Sequence, residues 1–245
     1  MCQALLGFAR LCHRRGATGS TVWDVLLRQP CLFRREISEI GRFSSSLIVY
    51  STLLFFYNFP MKIFPAKSFD ILDIMKIERS AFIPAVQENQ KTFEERLEVF
   101  PEGFFVLADN SEKTVFENGK AEIAGYFTSE IWRSLPESDE IFALGHSAKK
   151  NHDINGSVLY FSSFALLPDF RGKHLAEDFL SDCLKNLCAS FLNVKKIALL
   201  VCEEWLGARH IYEKLGFKEA RVIKNFFPSL KKNAADGIVM VLDVR

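Results

Sequence analysis

The tightest constraint on the fold lies between Leu159 and Phe217. A strand-like run over 159–167 meets the turn Pro168-Asp169-Phe170-Arg171-Gly172-Lys173-His174-Leu175-Ala176. A helix-like stretch continues to about Leu187. An apolar run over 196–202 follows, and a short helix closes on Tyr212-Glu213-Lys214-Leu215-Gly216-Phe217. Strand, turn, helix, strand, helix is a βαβα unit, with the two strands joined by a helical crossover. Its first turn opens a helix, so backbone N–H groups converge where the helix dipole is positive. Arg171 and Lys173 add charge at that point. Alone, the turn reads more readily as a basic surface turn; the strand before it and the helix it opens make a phosphate-sized anion site the expectation.

The segments upstream supply the rest of a sheet. Residues 62–67 read as an edge strand ended by Pro65. Apolar residues at 71, 74, 75 and 82 form a helical stripe over 70–82, with Ser68 or Asp70 as N-cap and Pro84 as the stop. Thr92 with Glu95 three later reads as a capping box, which predicts a helix over 93–99. Residues 104–108 form a buried strand, Asn118-Gly119 is a hairpin signal, and 122–129 is the returning strand. A mixed connection over 131–157 carries Trp132, His146 and His152. A connection of that length is more often functional than idle. Strands over 220–226 and 238–242 complete the set. The expectation is an α+β fold, a mixed and mostly antiparallel central sheet of about seven strands flanked by about four helices.

Composition enters at the boundary. Residues 1–60 hold seven Arg and no Lys, whereas 61–245 hold seventeen Lys and seven Arg. The expected organisation is therefore an N-terminal extension, 1–60, and a catalytic domain, 61–245. The apolar run 47–59 is thirteen residues long, short of the roughly 20 that a bilayer core needs. It reads as a membrane or targeting element, as an ordinary structured extension, or as a segment outside the working protein if translation begins at Met61. The last reading is preferred, with membrane association tied to retention of 47–59. The six cysteines show no CxxC pair and no histidine at metal-ligand spacing. They read as reduced thiols in a cytoplasmic setting, with no metal. A net charge of +1 gives no argument for a nucleic-acid partner.

At Arg171-Gly172-Lys173-His174-Leu175-Ala176 and Tyr212-Glu213-Lys214-Leu215-Gly216-Phe217 the chain resembles the GNAT superfamily of acyl-CoA-dependent N-acetyltransferases. The resemblance covers 61–245. Within the superfamily the chain looks most like the arylalkylamine N-acetyltransferase group, through Ile77-Glu78-Arg79-Ser80-Ala81-Phe82, Phe100-Pro101-Glu102, Ser129-Glu130-Ile131-Trp132, residues 165–171, and Cys202-Glu203-Glu204. The resemblance implies acetyl-CoA as co-substrate. Arg171, Gly172, Lys173, His174, Leu175 and Ala176 would hold its pyrophosphate, and Phe164, Ala165 and Leu166 its pantetheine arm and thioester. It also implies Tyr212 as the acid that protonates the leaving sulfur.

The base is left open by the residues. Tyr160 and Ser162 stand where the arylalkylamine enzymes carry paired histidines. His146 is the leading candidate, with His152, Glu203 and Glu204 behind it. His174 stands where the family prefers Gly, and Trp205 where many members have Asn. The implied function is acetyl transfer from acetyl-CoA to a primary amine by direct attack in a ternary complex. The acceptor is a small-molecule amine or a peptide amine, and the protein is a possible homodimer. The competing reading is a degenerate domain that binds acyl-CoA without turning it over, as a sensor or scaffold.

Overall fold

The structure, a computed structural model, describes residues 61–109, 123–229, 231 and 233–244. The apolar run 47–59 and the Asn118-Gly119 hairpin signal lie outside the described residues. Seven strands form one sheet: β1 (Met61–Pro65), β2 (Phe104–Asp109), β3 (Ile123–Trp132), β4 (Val158–Leu166), β5 (Lys196–Cys202), β6 (Lys218–Pro228) and β7 (Ala234–Asp243). Their order across the sheet is β1-β2-β3-β4-β5-β7-β6. Every neighbouring pair is antiparallel except β4 and β5. Those two are the strands of the βαβα unit, and a helical crossover forces them parallel.

The helices are α1 (Ile71–Ala81), α2 (Gln90–Val99), α3 (Ala148–Asn151), α4 (Leu175–Ser190) and α5 (Leu206–Lys214). The extra helix against expectation is α3, one turn inside the long connection. The start of α2 also differs. Its N-cap is Asn89, whose side chain accepts from Thr92 N–H at 3.1 Å. The glutamate of the expected capping box, Glu95, instead accepts from Ser147 Oγ and Lys149 N. Stretches expected as loop at 227–237 partly pair as the ends of β6 and β7. Among the described residues, no helix is long and apolar enough to cross a membrane.

Helices cover both faces of the sheet. On one face α4 buries Phe179, Leu180, Cys183, Leu184 and Leu187 against Phe127, Leu159, Ile197 and Leu199. On the other, Ile71, Ile74, Met75 and Ile77 of α1 pack with Phe93 of α2 against Phe104, Val106 and Tyr126. β3 lies between these layers and is buried at every position. Alternation along a strand sends Phe127 and Ile131 to the α4 face, and Tyr126, Thr128 and Glu130 to the α1 face. A row of three polar side chains inside a covered sheet must find partners there.

One irregularity opens the sheet. Between β3 and β4 the register shifts, with Thr128 opposite Ser163 but Ser129 opposite Phe161. Ser162 is therefore the extra residue of a β-bulge, which bends β4. Pairing of β4 with β5 ends at Phe161–Leu199, while β4 runs on to Leu166 and β5 to Cys202 along β7. The two parallel strands diverge, and among the described residues 163–166 pair with β3 alone.

Candidate functional site

The gap between β4 and β5 widens into a cleft of about 750 Å³. It brings together most of the residues expected from sequence: Phe164, Ala165 and Leu166 on β4, Arg171, Gly172 and Ala176 on the turn, Tyr212 on α5, and His146 on the long connection. Lys173, His174 and Leu175 belong to the same turn but do not form the cleft wall. Lys173 lies over the Phe170 ring, 5.7 Å from its centroid. Trp205 lines the cleft; His152, Glu203 and Glu204 do not. His152 stacks on Phe100 and accepts from Ile131 N–H. Glu203 and Glu204 hold the Asp236 amide and the Ser229 hydroxyl.

The turn has the geometry of an anion cradle. Arg171 Nε donates to Leu166 O at 3.0 Å, which ties the turn to the end of β4. Gly172 has φ +71°, and a Cβ there would meet nothing within 4 Å, so the backbone is open on that side. The N–H groups of Gly172, Lys173, His174, Leu175 and Ala176 have no acceptor among the described residues. Five unclaimed donors at the start of a sixteen-residue helix fit a pyrophosphate. His174, the N-cap of α4, is left-handed with φ 61°. That conformation costs a non-glycine residue about 1–2 kcal/mol, against glycine's entropic cost of about 0.5–1 kcal/mol. His174→Gly is therefore expected to stabilise the fold by about 0.5–1 kcal/mol, read as a higher urea midpoint at unchanged slope. A lower midpoint would show that the imidazole is held by more than backbone geometry.

Tyr212 is buried, with its ring edge-on to Phe161 (5.5 Å) and beside Phe217 (6.1 Å). Burial pushes its phenol above the ordinary tyrosine range, so it keeps its proton throughout the neutral range.

The cleft wall also holds Glu78 and Glu88, which sequence reasoning did not single out, with Glu130 and Arg96 buried beside them. Glu78 of α1 is buried, accepts from the Tyr126 hydroxyl, and takes the Glu88 N–H at 2.8 Å. Burial raises its pKa, partly offset by the Tyr126 hydrogen bond. Glu88 is bridged by Arg96 at 2.8 Å and accepts from Gly145 N–H. Glu130 is fully buried and accepts from Trp132 Nε1 and His146 Nε2, at 3.0 and 2.8 Å. Burial alone would raise the Glu130 carboxyl, but the hydrogen bond and charge of His146, with Arg96, hold it below the usual range. The second ring nitrogen of His146 faces Ala143 O at 3.1 Å. Both ring nitrogens of His146 therefore stand against oxygen acceptors.

The sequence signal for Glu78 was available. It sits in the helical stripe set by residues 71, 74, 75 and 82, where a carboxylate is out of place unless it is used or paired. Apolar residues complete the wall: Phe82, Phe142, Tyr160, Trp205, Phe226 and Phe227. Phe82 meets Trp205 at 5.4 Å and Trp205 meets Phe227 at 5.2 Å, so aromatic rings bridge the α1 side of the cleft to β6. Among the described residues, no cluster of side chains suits a metal ion.

Comparison with known proteins gives a consistent family. A family model described as the acetyltransferase (GNAT) family matches residues 71–217. No curated protein matches the chain. Among solved structures, the ribosomal-protein-S18-alanine N-acetyltransferase of Escherichia coli is similar at 20% identity and a TM-score of 0.54, covering 75% of this chain and 94% of its own. The GphF GNAT-like decarboxylase in complex with isobutyryl-CoA is similar at 13% identity and a TM-score of 0.60, with coverage of 75% and 100%. Arabidopsis thaliana NAA60, in complex with a bisubstrate analogue, is similar at 14% identity and a TM-score of 0.55, with coverage of 76% and 98%. At these identities the likeness carries the fold.

Proposed function

The chain belongs to the GNAT family of acetyltransferases, and from that premise we propose that residues 61–245 form an N-acetyltransferase acting on an apolar or aromatic primary amine. The observation that carries this reading is the pairing, in one cleft, of an unclaimed amide cradle with a carboxylate-rich, aromatic-walled end. Acetyl-CoA would supply the acetyl group as a thioester. The N–H groups of residues 172–176, with Arg171 nearby, would hold its pyrophosphate, and the free edge of β4 at Phe164 to Leu166 its pantetheine arm in the manner of an added strand. Backbone N–H groups of that edge are also the available donors to a developing oxyanion.

A primary amine reaches the site as an ammonium ion at neutral pH. Glu78 and Glu88 line this part of the cleft, so an arriving ammonium would meet carboxylates there. His146 is hydrogen-bonded to the buried Glu130, and this reading assigns the base duty to another group. The aromatic walls favour an aryl or alkyl substituent over a charged one. This is also the acceptor that the resemblance to the arylalkylamine group implies. Tyr212, protonated and lining the cleft, would give its proton to the departing sulfur.

The test is CoA-thiol release from acetyl-CoA across aryl, alkyl, polyamine and peptide amines. Turnover concentrated in aryl and alkyl monoamines is expected. Turnover confined to peptides would move the acceptor class. Binding of acetyl-CoA, seen as a raised melting temperature, with no thiol release on any amine would replace the transferase by a binding module.

A further inference from the structure

We propose that Ser163, Tyr126 and Glu78 form a proton relay that deprotonates the acceptor amine, with Ser163 as the member that touches it. The inference rests on the transferase reading above and supplies its base.

Three elements meet to build the relay. Ser163 on β4 lies 2.9 Å, hydroxyl to hydroxyl, from Tyr126 on β3, and Tyr126 donates to Glu78 Oε2 on α1. The donor order follows from valence. An ionised carboxylate only accepts, so the single Tyr126 proton is committed to Glu78. Ser163 must then be the donor to the Tyr126 oxygen. Its lone pairs remain for a donor arriving in the cleft, which Ser163 lines and where it is half-exposed. Ser162 has no such connection; its hydroxyl pairs with Thr128.

The arrangement is costly as mere structure. Tyr126 and Glu78 are 0% and 1% exposed and sit in the apolar layer between sheet and α1. Phenylalanine and an aliphatic residue would fill the same space without desolvating a carboxylate. The bulge at Ser162 points to the same use. Thr128 pairs with Ser163, so Ser163 shares the face of Tyr126 and Thr128 at the place where β4 leaves β5. The charged groups facing Glu78 are Glu88, which disfavours its ionisation, and Arg96, which favours it. Burial, with Glu88, outweighs Arg96 and the hydrogen bonds from Tyr126 and the Glu88 amide, and draws the carboxyl upward.

The step balances without any outside reagent. One N–H bond of the ammonium breaks, and its electron pair stays on nitrogen. That proton passes to Ser163 Oγ, the Ser163 proton to Tyr126, and the Tyr126 proton to Glu78, which ends as a carboxylic acid. The neutral amine then attacks the acyl carbon. Its second proton goes to Tyr212 as Tyr212 gives its own to sulfur, and Glu78 returns its proton to solvent by the reverse path.

The experiment follows CoA release with the best acceptor amine from pH 6 to pH 10, in the full chain and in Ser163→Ala, Tyr126→Phe and Glu78→Gln. Melting with and without acetyl-CoA is measured in parallel. Ser163→Ala, which trims one half-exposed hydroxyl, carries the test if either buried variant fails to fold. Its kcat at pH 7 is expected to fall about 10²-fold, within the range for a lost general base, while KM for acetyl-CoA stays unchanged. The deficit should shrink as pH nears the amine's own pKa of about 10, because an amine arriving uncharged needs no relay. A packing defect cannot be rescued by pH in this way. Equal rates for Ser163→Ala and the unaltered chain at pH 7, or a deficit of the same size at every pH, would overturn the relay while leaving the transferase standing. No thiol release by the unaltered chain would overturn the transferase reading, and the relay with it.

Discussion

Arg96→Met is expected to destabilise the protein by about 3–5 kcal/mol, the range found when one partner of a buried ion pair is removed. The side chain is 1% exposed. It bridges Glu88 at 2.8 Å, stands 3.6 Å from Glu130, and lies over the Phe93 ring at 5.9 Å. Burial works against its charge, yet the two carboxylates more than compensate, so the guanidinium stays charged. Methionine replaces the apolar stem but stops short of the guanidinium, so some packing is lost along with the charge. What remains is two buried carboxylates with their main counter-charge gone. Glu88 would also loosen its grip on the Gly145 amide, and with it the loop that presents His146. Urea denaturation measures the effect directly. Adding Glu88→Gln to Arg96→Met should recover part of the loss, since a neutral amide no longer needs the cation. A cost under about 1 kcal/mol would mean that water reaches the carboxylates once the arginine is gone.

This region shows where the sequence was readable and where it was not. The turn from Pro168 to Ala176 could be read because its geometry is local. Strand, glycine and helix start follow one another within nine residues, and the donors proposed for the pyrophosphate are backbone N–H groups. The left-handed backbone at His174 was foreseeable for the same reason, as the position where the family prefers glycine. The acceptor end is the opposite case. Glu78, Glu88, Arg96, Glu130 and His146 come from α1, the loop before α2, α2, β3 and the long connection, and no spacing rule links them. Tyr126, Thr128 and Glu130 do alternate along β3, but a strand buried on both faces hides that period among core residues. The α2 cap misled for a simpler reason. Thr92 and Glu95 satisfy the capping pattern, while Asn89 makes the bond and frees Glu95 to hold the loop at Ser147 and Lys149. A polar residue inside an apolar stripe, as at Glu78, was the one local sign that the helix serves more than the core.

Tyr212→Phe is expected to lower thiol release at least tenfold, and up to the 10²–10⁴-fold typical of a lost general acid. The change removes one oxygen and keeps the ring contacts to Phe161 and Phe217. Affinity for acetyl-CoA should hold, because the cradle at residues 172–176 is made of backbone donors elsewhere. The pH dependence separates this role from that of the relay. The Tyr212 phenol is pushed above its usual range by burial, so it stays protonated across the neutral and mildly alkaline range. Its loss should therefore depress the rate by a similar factor from pH 6 to pH 9. A Ser163→Ala deficit, by contrast, should fade as the amine loses its own proton. Sulfur leaving groups differ in need as well. An acyl donor whose thiol is much more acidic than CoA leaves without protonation, and with it Tyr212→Phe should regain most of the rate. Full activity of Tyr212→Phe with acetyl-CoA would remove the phenol from the chemistry and leave it as the ring that packs α5 onto β4. A deficit repaired by the better leaving group would fix the proton on the sulfur side of the reaction, because a packing fault in α5 would slow both donors alike.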